Sequence, residues 1–215
     1  MKAIVFDLDN TLIIWKDEYV SVLKNILPKY IPNISDEKAI EINKCLDDYE
    51  NVIDELSREK LLFYINNKCK LNLSIDFIDE LIKGQRMCFQ EDKKLEEVIK
   101  YLASKYDLYV VSNWFTETQE GRLENVGVLK YFKKVYGADV NYLKPDIRAF
   151  KSIFDKYSSN SVICVGDSLN NDILPVLKLG GRAIWISDSE SNKYETIHSI
   201  YELEDLLWKI DLLKK

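Results

Sequence analysis

Two aspartates lie two positions apart at the end of an apolar run near the start of the chain. The run Ala3–Phe6 leads into Asp7 and Asp9 in the stretch FDLDNTL. An aspartate can act as a covalent nucleophile and form an acyl phosphate. A carboxylate two residues further on points the same way along an extended backbone, and from there it can protonate a leaving alkoxide and later deprotonate water. The spacing is therefore typical of a catalytic pair, although Asp, Asn and Thr are also ordinary turn residues.

Three more groups of polar residues follow apolar runs in the same manner. Ser112 and Asn113 end the stretch VVSN, Lys144 lies in LKPD, and Asp167 and Asp172 lie in VGDSLNND. In a parallel α/β sheet, ligands bind outside the carboxyl ends of the strands. The four groups are therefore predicted to meet at one edge of a sheet, although each group alone is more often explained by turn and cap chemistry.

The residue types in this set favour phosphate chemistry. Carboxylates without histidine or thiol ligands suit a hard cation with oxygen coordination, most simply Mg²⁺, with Mn²⁺ as an alternative. A lysine and a serine beside such a cation complement an anion such as phosphate. Phosphoryl transfer needs little more than in-line positioning, a metal and fixed positive charge.

The elements that must position these residues are short apolar runs separated by helical periodicity. Alternating strands and helices, with strands buried on both faces, predict a doubly wound, Rossmann-like α/β fold with a mainly parallel sheet. Four runs are clear and one is weaker. The clear runs are Ala3–Phe6, Leu108–Val111, Val162–Val165 and Ala183–Ile186, and the weaker one is Lys133–Tyr136.

One region interrupts the alternation with helical patterns alone. Helices are predicted over Glu18–Leu27 ending at Pro28, from an N-cap at Ser35, over Asp54–Asn66, and over Ser74–Cys88 with Ser74 as N-cap. This predicts an inserted helical domain at 15–90 and an α/β core formed by 1–14 and 91–215. An amphipathic stripe over Tyr201–Leu213 is predicted to close the core.

Composition excludes several classes of protein. The chain has 215 residues and a formal net charge of -6, which disfavours a protein that grips nucleic-acid backbones. Its four cysteines form no C-x-x-C pair and its one histidine is His198, so a zinc site is not expected. No apolar segment approaches a membrane span or a signal peptide, and we expect a cytoplasmic protein with free thiols.

The four motifs together resemble those of the haloacid dehalogenase superfamily of hydrolases. FDLDNTL, VVSN, LKPD and VGDSLNND match its first to fourth motifs in order and in strand placement. The inserted helices fall where the superfamily's C1-type helical cap lies. The resemblance implies a phosphatase acting on a small phosphorylated metabolite, as a monomer or homodimer.

The resemblance also implies a role for each matching residue. Asp7 would be the nucleophile and Asp9 the general acid/base, and Lys144 would stabilise the phosphoryl charge and orient Asp7. The metal would be held by Asp7, the backbone carbonyl of Asp9 and Asp167, with Asp172 supporting it through water. The remaining roles are phosphate binding by Ser112 and the Asn113 amide, and bracing of the first loop by Thr11.

Other activities of the superfamily stay open at this point. A 2-haloacid dehalogenase would lack a carboxylate at Asp9, whereas a phosphomutase is not excluded by these motifs. A non-catalytic binding protein of the same fold is disfavoured, because such a member tends to lose one of Asp7, Asp9 or Lys144. A phosphonatase would use a cap lysine, for which Lys16, Lys24 and Lys60 are weak candidates because solvated lysines are common.

Two further patterns bear on substrate choice. The segment SNWFTETQEGRLENVGVLKYF resembles the branch that contains nucleoside-5'-monophosphatases; alternatively, Thr116 caps a helix and Gln119 and Arg122 lie on its exposed face. Aromatic and arginine side chains could contact substrate, or could be packing and solvated positions. These candidates are Trp15, Tyr19, Trp114, Arg58 and Arg86.

Overall fold

The protein is a doubly wound α/β fold with a six-stranded parallel sheet, in the strand order β3-β2-β1-β4-β5-β6. The computed structural model describes residues 2–14, 18–90, 92–189 and 191–212. The strands are β1 Ala3–Phe6, β2 Asp107–Val111, β3 Phe132–Tyr136, β4 Val162–Gly166, β5 Arg182–Ile186 and β6 Glu195–Ile197. The predicted fold class and the five predicted strands are confirmed, and β6 was not predicted.

The central strand explains why its sequence is continuously apolar. Side chains alternate between the two faces of a strand, and β1 has a hydrophobic layer on each face. Ile4 and Phe6 join one buried cluster, whereas Ala3 and Val5 join another. Every side chain of β1 is therefore removed from water, which leaves no position for a polar residue before Asp7.

Helices cover the sheet and form a separate helical layer. In the described part of the chain, α1 to α4 precede the second strand and α5 to α9 flank the sheet. They are α1 Glu18–Tyr30, α2 Asp36–Val52, α3 Arg58–Cys69, α4 Ile75–Gln85, α5 Lys93–Ala103, α6 Thr116–Asn125, α7 Lys151–Phe154, α8 Leu174–Lys178 and α9 Leu203–Leu212.

The helical layer has its own apolar core. Leu27, Ile42, Leu61 and Phe77 come from α1, α2, α3 and α4 in turn, and all belong to one buried cluster. Phe115, which precedes α6, joins the same cluster and so ties the layer to the sheet. The domain boundaries at 14/15 and 90/91 stay a prediction.

Three of the predicted helices begin or end at other residues in the structure. α1 continues to Tyr30, with Pro28 inside its last turn. Proline lacks an amide hydrogen, but so close to the end of the helix its loss affects few backbone hydrogen bonds. α3 begins after Ser57, whose hydroxyl accepts a hydrogen bond from the amide of Lys60, rather than at Asp54. Ser74 is the N-cap residue of α4 as predicted, although it makes no side-chain cap bond, and α4 ends at Gln85 rather than at Cys88.

The last strand and helix close one face of the sheet. β6 has three residues and one buried side chain, so it lacked the apolar run by which the other strands were recognised. Leu203 and Leu207 of α9 are buried in the same cluster as Ile4 and Phe6, as the amphipathic stripe predicted. No helix among the described residues is long and apolar enough to cross a membrane.

Candidate active site

The strand order brings the predicted site residues to one edge of the sheet. β1 pairs with β2 on one side and with β4 on the other, and the strand order reverses there. Such a reversal opens a crevice at the carboxyl ends of the strands. A cavity of about 200 Å³ lies there. Seven predicted residues line it: Asp7, Asp9, Ser112, Asn113, Lys144, Asp167 and Asp172.

Three carboxylates form a compact acidic cluster in this cavity. Asp7, Asp167 and Asp172 each offer an oxygen, and these oxygens lie within 4.8 Å of one another. Burial and then Asp7 raise the pKa of Asp167 to about 6, against the opposing effect of Lys144. Oxygen donors held this close fit a hard divalent cation.

A glycine at the end of β4 makes room for this cluster. A Cβ atom on Gly166 would lie 2.4 Å from Asp172 Oδ2 and 2.5 Å from Asp172 Cβ. The Asp172 carboxylate also accepts a hydrogen bond of 3.0 Å from the amide of Ser168. The glycine of the VGD motif is thus required by the close approach of Asp172 to the backbone.

Lys144 is the buried cation of the cavity. Its Nζ donates to Asp7 Oδ1 and to Asp172 Oδ1, each at 2.6 Å, and its side chain is 3% exposed. Burial lowers the pKa of Lys144, but the adjacent charges of Asp172 and Asp7 more than offset that effect and leave it above the ordinary value. The lysine is therefore held as an ammonium between the two carboxylates.

Asn113 fixes the backbone that carries this lysine. Its side-chain amide donates to the carbonyl oxygen of Lys144 at 2.9 Å and accepts from the amide of Lys144 at 2.7 Å. The sequence assigned the backbone of Asn113 to phosphate binding. The paired side-chain bonds are an additional positioning role, and they join segments that are 31 residues apart.

The carboxylate of Asp9 is turned toward α6 and bonded at both oxygens. Arg122 Nη1 donates to Oδ1 at 2.6 Å, and Gln119 Nε2 donates to Oδ2 at 3.0 Å. Burial raises the pKa of Asp9 above its ordinary value, and Arg122 partly offsets that rise. A carboxyl with a raised pKa is better suited to carry a proton at neutral pH.

The loop after β1 turns sharply because Asn10 adopts a left-handed conformation, with φ of 56°. Asparagine tolerates this region better than most residues. The amides of Thr11, Leu12 and Ile13 then converge on the carbonyl of Leu8. Thr11 helps this turn through its backbone, but its hydroxyl has no hydrogen-bond partner among the described residues, and it lines a neighbouring cavity rather than this one.

The sequence profile described as haloacid dehalogenase-like hydrolase matches residues 4–186. The chain belongs to this family. The matched range includes β2 to β5, most of β1, the helical layer and all four groups of site residues, so the resemblance drawn from the motifs is confirmed.

The named relatives differ in the activity that their names give and in how much of this chain they match. Pyrimidine 5'-nucleotidase PynA of Streptococcus pneumoniae is 24% identical over 98% of this chain and 95% of its own length. HAD-hydrolase YfnB of Bacillus subtilis is 31% identical, but the match covers 51% of this chain and 50% of that protein. The chain therefore spans about half of YfnB in the sequence match.

Solved structures share the fold across nearly the whole chain. The magnesium-bound crystal structure of YfnB superposes with a TM-score of 0.75 at 20% identity, covering 96% of this chain and 98% of that one. A 2-haloacid dehalogenase of Pseudomonas syringae superposes with a TM-score of 0.70 at 20% identity, covering 97% and 99%. At this identity the likeness establishes the fold and not the reaction.

This family member has two functional-site contacts that the sequence did not predict. Gln119 and Arg122 were assigned to an exposed helix face as one alternative, but both are buried, and that interpretation is wrong. The available signal was their spacing of three residues, which places both side chains on one face of α6. Trp185 Nε1 also donates to the carbonyl of Asp167 at 2.7 Å, and its sequence gave no sign of this.

Thr116 does not cap α6, because the N-cap position is occupied by Phe115. Instead, the amide and hydroxyl of Thr116 both donate to Asp139 Oδ1 at 2.7 Å. Trp114 is buried, and its indole donates to Gln85 Oε1 at 2.8 Å, which favours packing between the sheet and the helical layer.

The other aromatic and basic candidates have mixed outcomes. Tyr19 is buried, and the guanidinium of Arg122 lies 5.7 Å from its ring centroid. Arg58 and Arg86 both pair with Glu117 of α6, at 3.2 Å and 3.4 Å, so they link the helical layer to the core. Trp15 and Lys16 lie outside the described residues.

Proposed function

We propose that the chain is a Mg²⁺-dependent phosphatase that hydrolyses a small phosphorylated metabolite through an aspartyl phosphate on Asp7. The observation that carries this proposal is that one cavity is lined by the acidic cluster, by the ammonium of Lys144 and by Asp9, a further aspartate whose pKa is raised. The names of PynA and of a phosphatase of Rattus norvegicus, N-acylneuraminate-9-phosphatase, agree with this chemistry.

The carboxylates present fit a magnesium ion. Asp7, Asp167 and the backbone carbonyl of Asp9 would hold it, with Asp172 in support, and these are oxygen donors of the kind that Mg²⁺ prefers. When bound, the ion neutralises negative charge on the phosphoryl oxygens. The magnesium-bound YfnB structure supports this choice of metal.

The first step forms the phosphoenzyme. A carboxylate oxygen of Asp7 attacks phosphorus, the bond from phosphorus to the ester oxygen breaks, and Asp9 gives its proton to the departing alkoxide. Lys144 lies 2.6 Å from Asp7 Oδ1, where its charge both orients the nucleophile and complements the phosphoryl oxygens. Ser112 and the amide of Asn113 bind the same group.

The second step releases phosphate. Asp9, now ionised, accepts a proton from a water molecule, and the resulting hydroxide oxygen bonds to phosphorus. The bond between phosphorus and Asp7 breaks and returns the free carboxylate, while Asp9 is again protonated for the next cycle. Asp9 thus separates this chemistry from dehalogenation, in whose first step a halide leaves without gaining a proton.

We also propose that residues 15–90 form a cap that selects the substrate. The site cavity is lined by core residues, of which Trp114 is one. The indole of Trp114 donates to Gln85 of α4, and Arg58 of α3 pairs with Glu117 of α6, so the helical layer contacts the residues around the cavity. Pyrimidine nucleoside monophosphates are the first compounds to test, because PynA is named a pyrimidine 5'-nucleotidase.

The test is hydrolysis of p-nitrophenyl phosphate and of a panel of nucleoside monophosphates, sugar phosphates and phosphoglycolate, with Mg²⁺, with Mn²⁺ and with EDTA. We expect turnover that needs the metal and that Asp7→Asn abolishes. Asp76→Asn, at an exposed position of α4, is the matched control. Turnover unchanged in Asp7→Asn, or release of chloride from 2-chloropropionate without phosphatase activity, would overturn the proposal.

A further inference from the structure

We propose that Gln119 and Arg122 are positioning residues that fix the carboxylate of Asp9 for both proton transfers. This inference rests on the proposed function, because it concerns the general acid/base of that reaction. Neither residue belongs to the four motifs, and both come from the middle of α6, more than a hundred positions away from Asp9 in the chain.

The first observation is that the two side chains together fix the orientation of the carboxylate. Arg122 binds one oxygen of Asp9 at 2.6 Å and Gln119 binds the other at 3.0 Å. A carboxylate bonded at one oxygen can swing about its χ angles, whereas bonds at both oxygens fix the plane of the group. Reacting groups must be held close to the productive geometry for efficient transfer.

The second observation is that the two donors are themselves fixed. Arg122 Nη1 also donates to Gln119 Oε1 at 3.0 Å, so the amide of Gln119 can present its NH₂ group only toward Asp9 and Ser112. Gln119 Nε2 donates to Ser112 Oγ at 2.7 Å. The amide therefore connects the proton donor with the hydroxyl proposed to bind phosphate.

The third observation concerns the far side of Arg122. Its Nε donates to the carbonyl of Cys88 at 2.8 Å, in the segment that returns from α4 to the core. Its guanidinium also lies 5.7 Å from the ring centroid of Tyr19, in the first turn of α1. The guanidinium thus lies against the first turn of α1 and bonds to the segment that follows α4.

Burial distinguishes this pair from an ordinary surface ion pair. The side chain of Arg122 is 2% exposed, whereas that of Asp9 is 24% exposed. A buried guanidinium without a partner would cost much stability. Here its charge is balanced by the carboxylate of Asp9, which is itself only partly buried. That carboxylate keeps a face toward the cavity, where a substrate would lie.

The experiment is a double-mutant cycle on turnover with p-nitrophenyl phosphate, using Arg122→Met, Gln119→Leu and Asp9→Asn. Because nitrophenolate leaves without gaining a proton, kcat for this substrate reports the proton transfer from water to Asp9. Removing the support of that base should lower kcat by about 10- to 100-fold in the parent enzyme. In the Asp9→Asn background the same substitutions should change kcat by less than about 3-fold, because the group they position is gone. Glu120→Gln, exposed on the same helix, is the control.

A second readout separates positioning from general damage to the fold. Nitrophenolate is a weak base and leaves without being protonated, whereas an alkoxide must gain a proton as it leaves. Arg122→Met should therefore slow single-turnover cleavage of an alkyl phosphate more than single-turnover release of nitrophenolate, and Arg122→Lys should recover part of the loss. Gln119→Leu keeps the ion pair between Arg122 and Asp9, and it replaces Arg122→Met in this comparison if Arg122→Met fails to fold.

The outcomes distinguish the two proposals. If the parent enzyme hydrolyses no phosphate ester, the proposed function fails. If it is active but the losses in the cycle are additive, or equal for alkyl and aryl esters, then Gln119 and Arg122 are structural residues and the positioning role is refuted.

Discussion

Replacing Lys144 by Met should destabilise the protein and make its stability fall more steeply as pH rises. The ammonium lies 2.6 Å from both Asp7 and Asp172, whose side chains are 10% and 1% exposed. Methionine has a similar length and no charge, so the substitution removes the cation while keeping most of the packing volume. Two carboxylates are then left together in a poorly solvated site.

The expected loss follows from this geometry. Breaking a buried ion pair by removing one partner costs about 3–5 kcal/mol, because the other charge stays buried and uncompensated. Asp172→Asn in the same chain removes one of the two stranded charges, and asparagine still accepts the hydrogen bond from the amide of Ser168. The double variant should therefore be more stable than the sum of the single losses predicts, by about 1–3 kcal/mol.

The direction of the pH effect follows from Asp172. Burial raises the pKa of Asp172, and the charge of Lys144 opposes that rise, so removing Lys144 raises it further. A carboxyl whose pKa is higher in the folded chain binds its proton more tightly there. The unfolding free energy of Lys144→Met should therefore fall as pH rises from about 4, the ordinary aspartate value.

Urea unfolding in EDTA at pH 5 and pH 8, followed by circular dichroism, measures these changes. We expect Lys144→Met to be closer in stability to the parent at pH 5 than at pH 8. Equal m-values would show that the unfolded states are comparable. The reasoning is refuted if the loss is below about 1 kcal/mol at pH 8, or if Lys144→Met and Asp172→Asn are additive within about 0.5 kcal/mol.

Three further predictions concern other parts of the molecule. Asn113→Ala should lower kcat by about 10-fold or more, because it frees the backbone of Lys144 from both side-chain bonds; Asn113→Asp should lose at least as much, because its second oxygen would face the carbonyl of Lys144, and an unchanged kcat in either variant would contradict the positioning role. Gly166→Ala should weaken Mg²⁺ binding, measured by calorimetry, because its Cβ would displace Asp172; unchanged affinity would contradict the close approach. Ellman's reagent at pH 8 should label few of the four thiols until guanidinium unfolds the chain, since all four are buried and burial raises the pKa of Cys69 to about 12; rapid labelling of the native protein would contradict this.

Much of the fold could be predicted because its signals are local. β1 and β4 are buried on both faces, so their apolar runs alone marked them as strands. The polar residues that follow each run were then assigned to one sheet edge by the general rule for parallel sheets, and the cavity contains them. Helix ends were less certain, because each depends on one backbone hydrogen bond that is missing, as at Pro28, or one that a side chain accepts, as at Ser57. The pattern of apolar residues does not reveal either.

The sequence by itself determined strands β1 to β5, the helical segments between β1 and β2, and the motif carboxylates, since each depends on residues within a few positions of one another. The tertiary structure decided which groups those carboxylates contact. Gln119 and Arg122 looked like the polar face of a helix, but α6 presents that face to Asp9 and Cys88 rather than to water. The contact joins positions 113 residues apart, and a helix does not carry in its own sequence the direction from which another part of the chain will cover it.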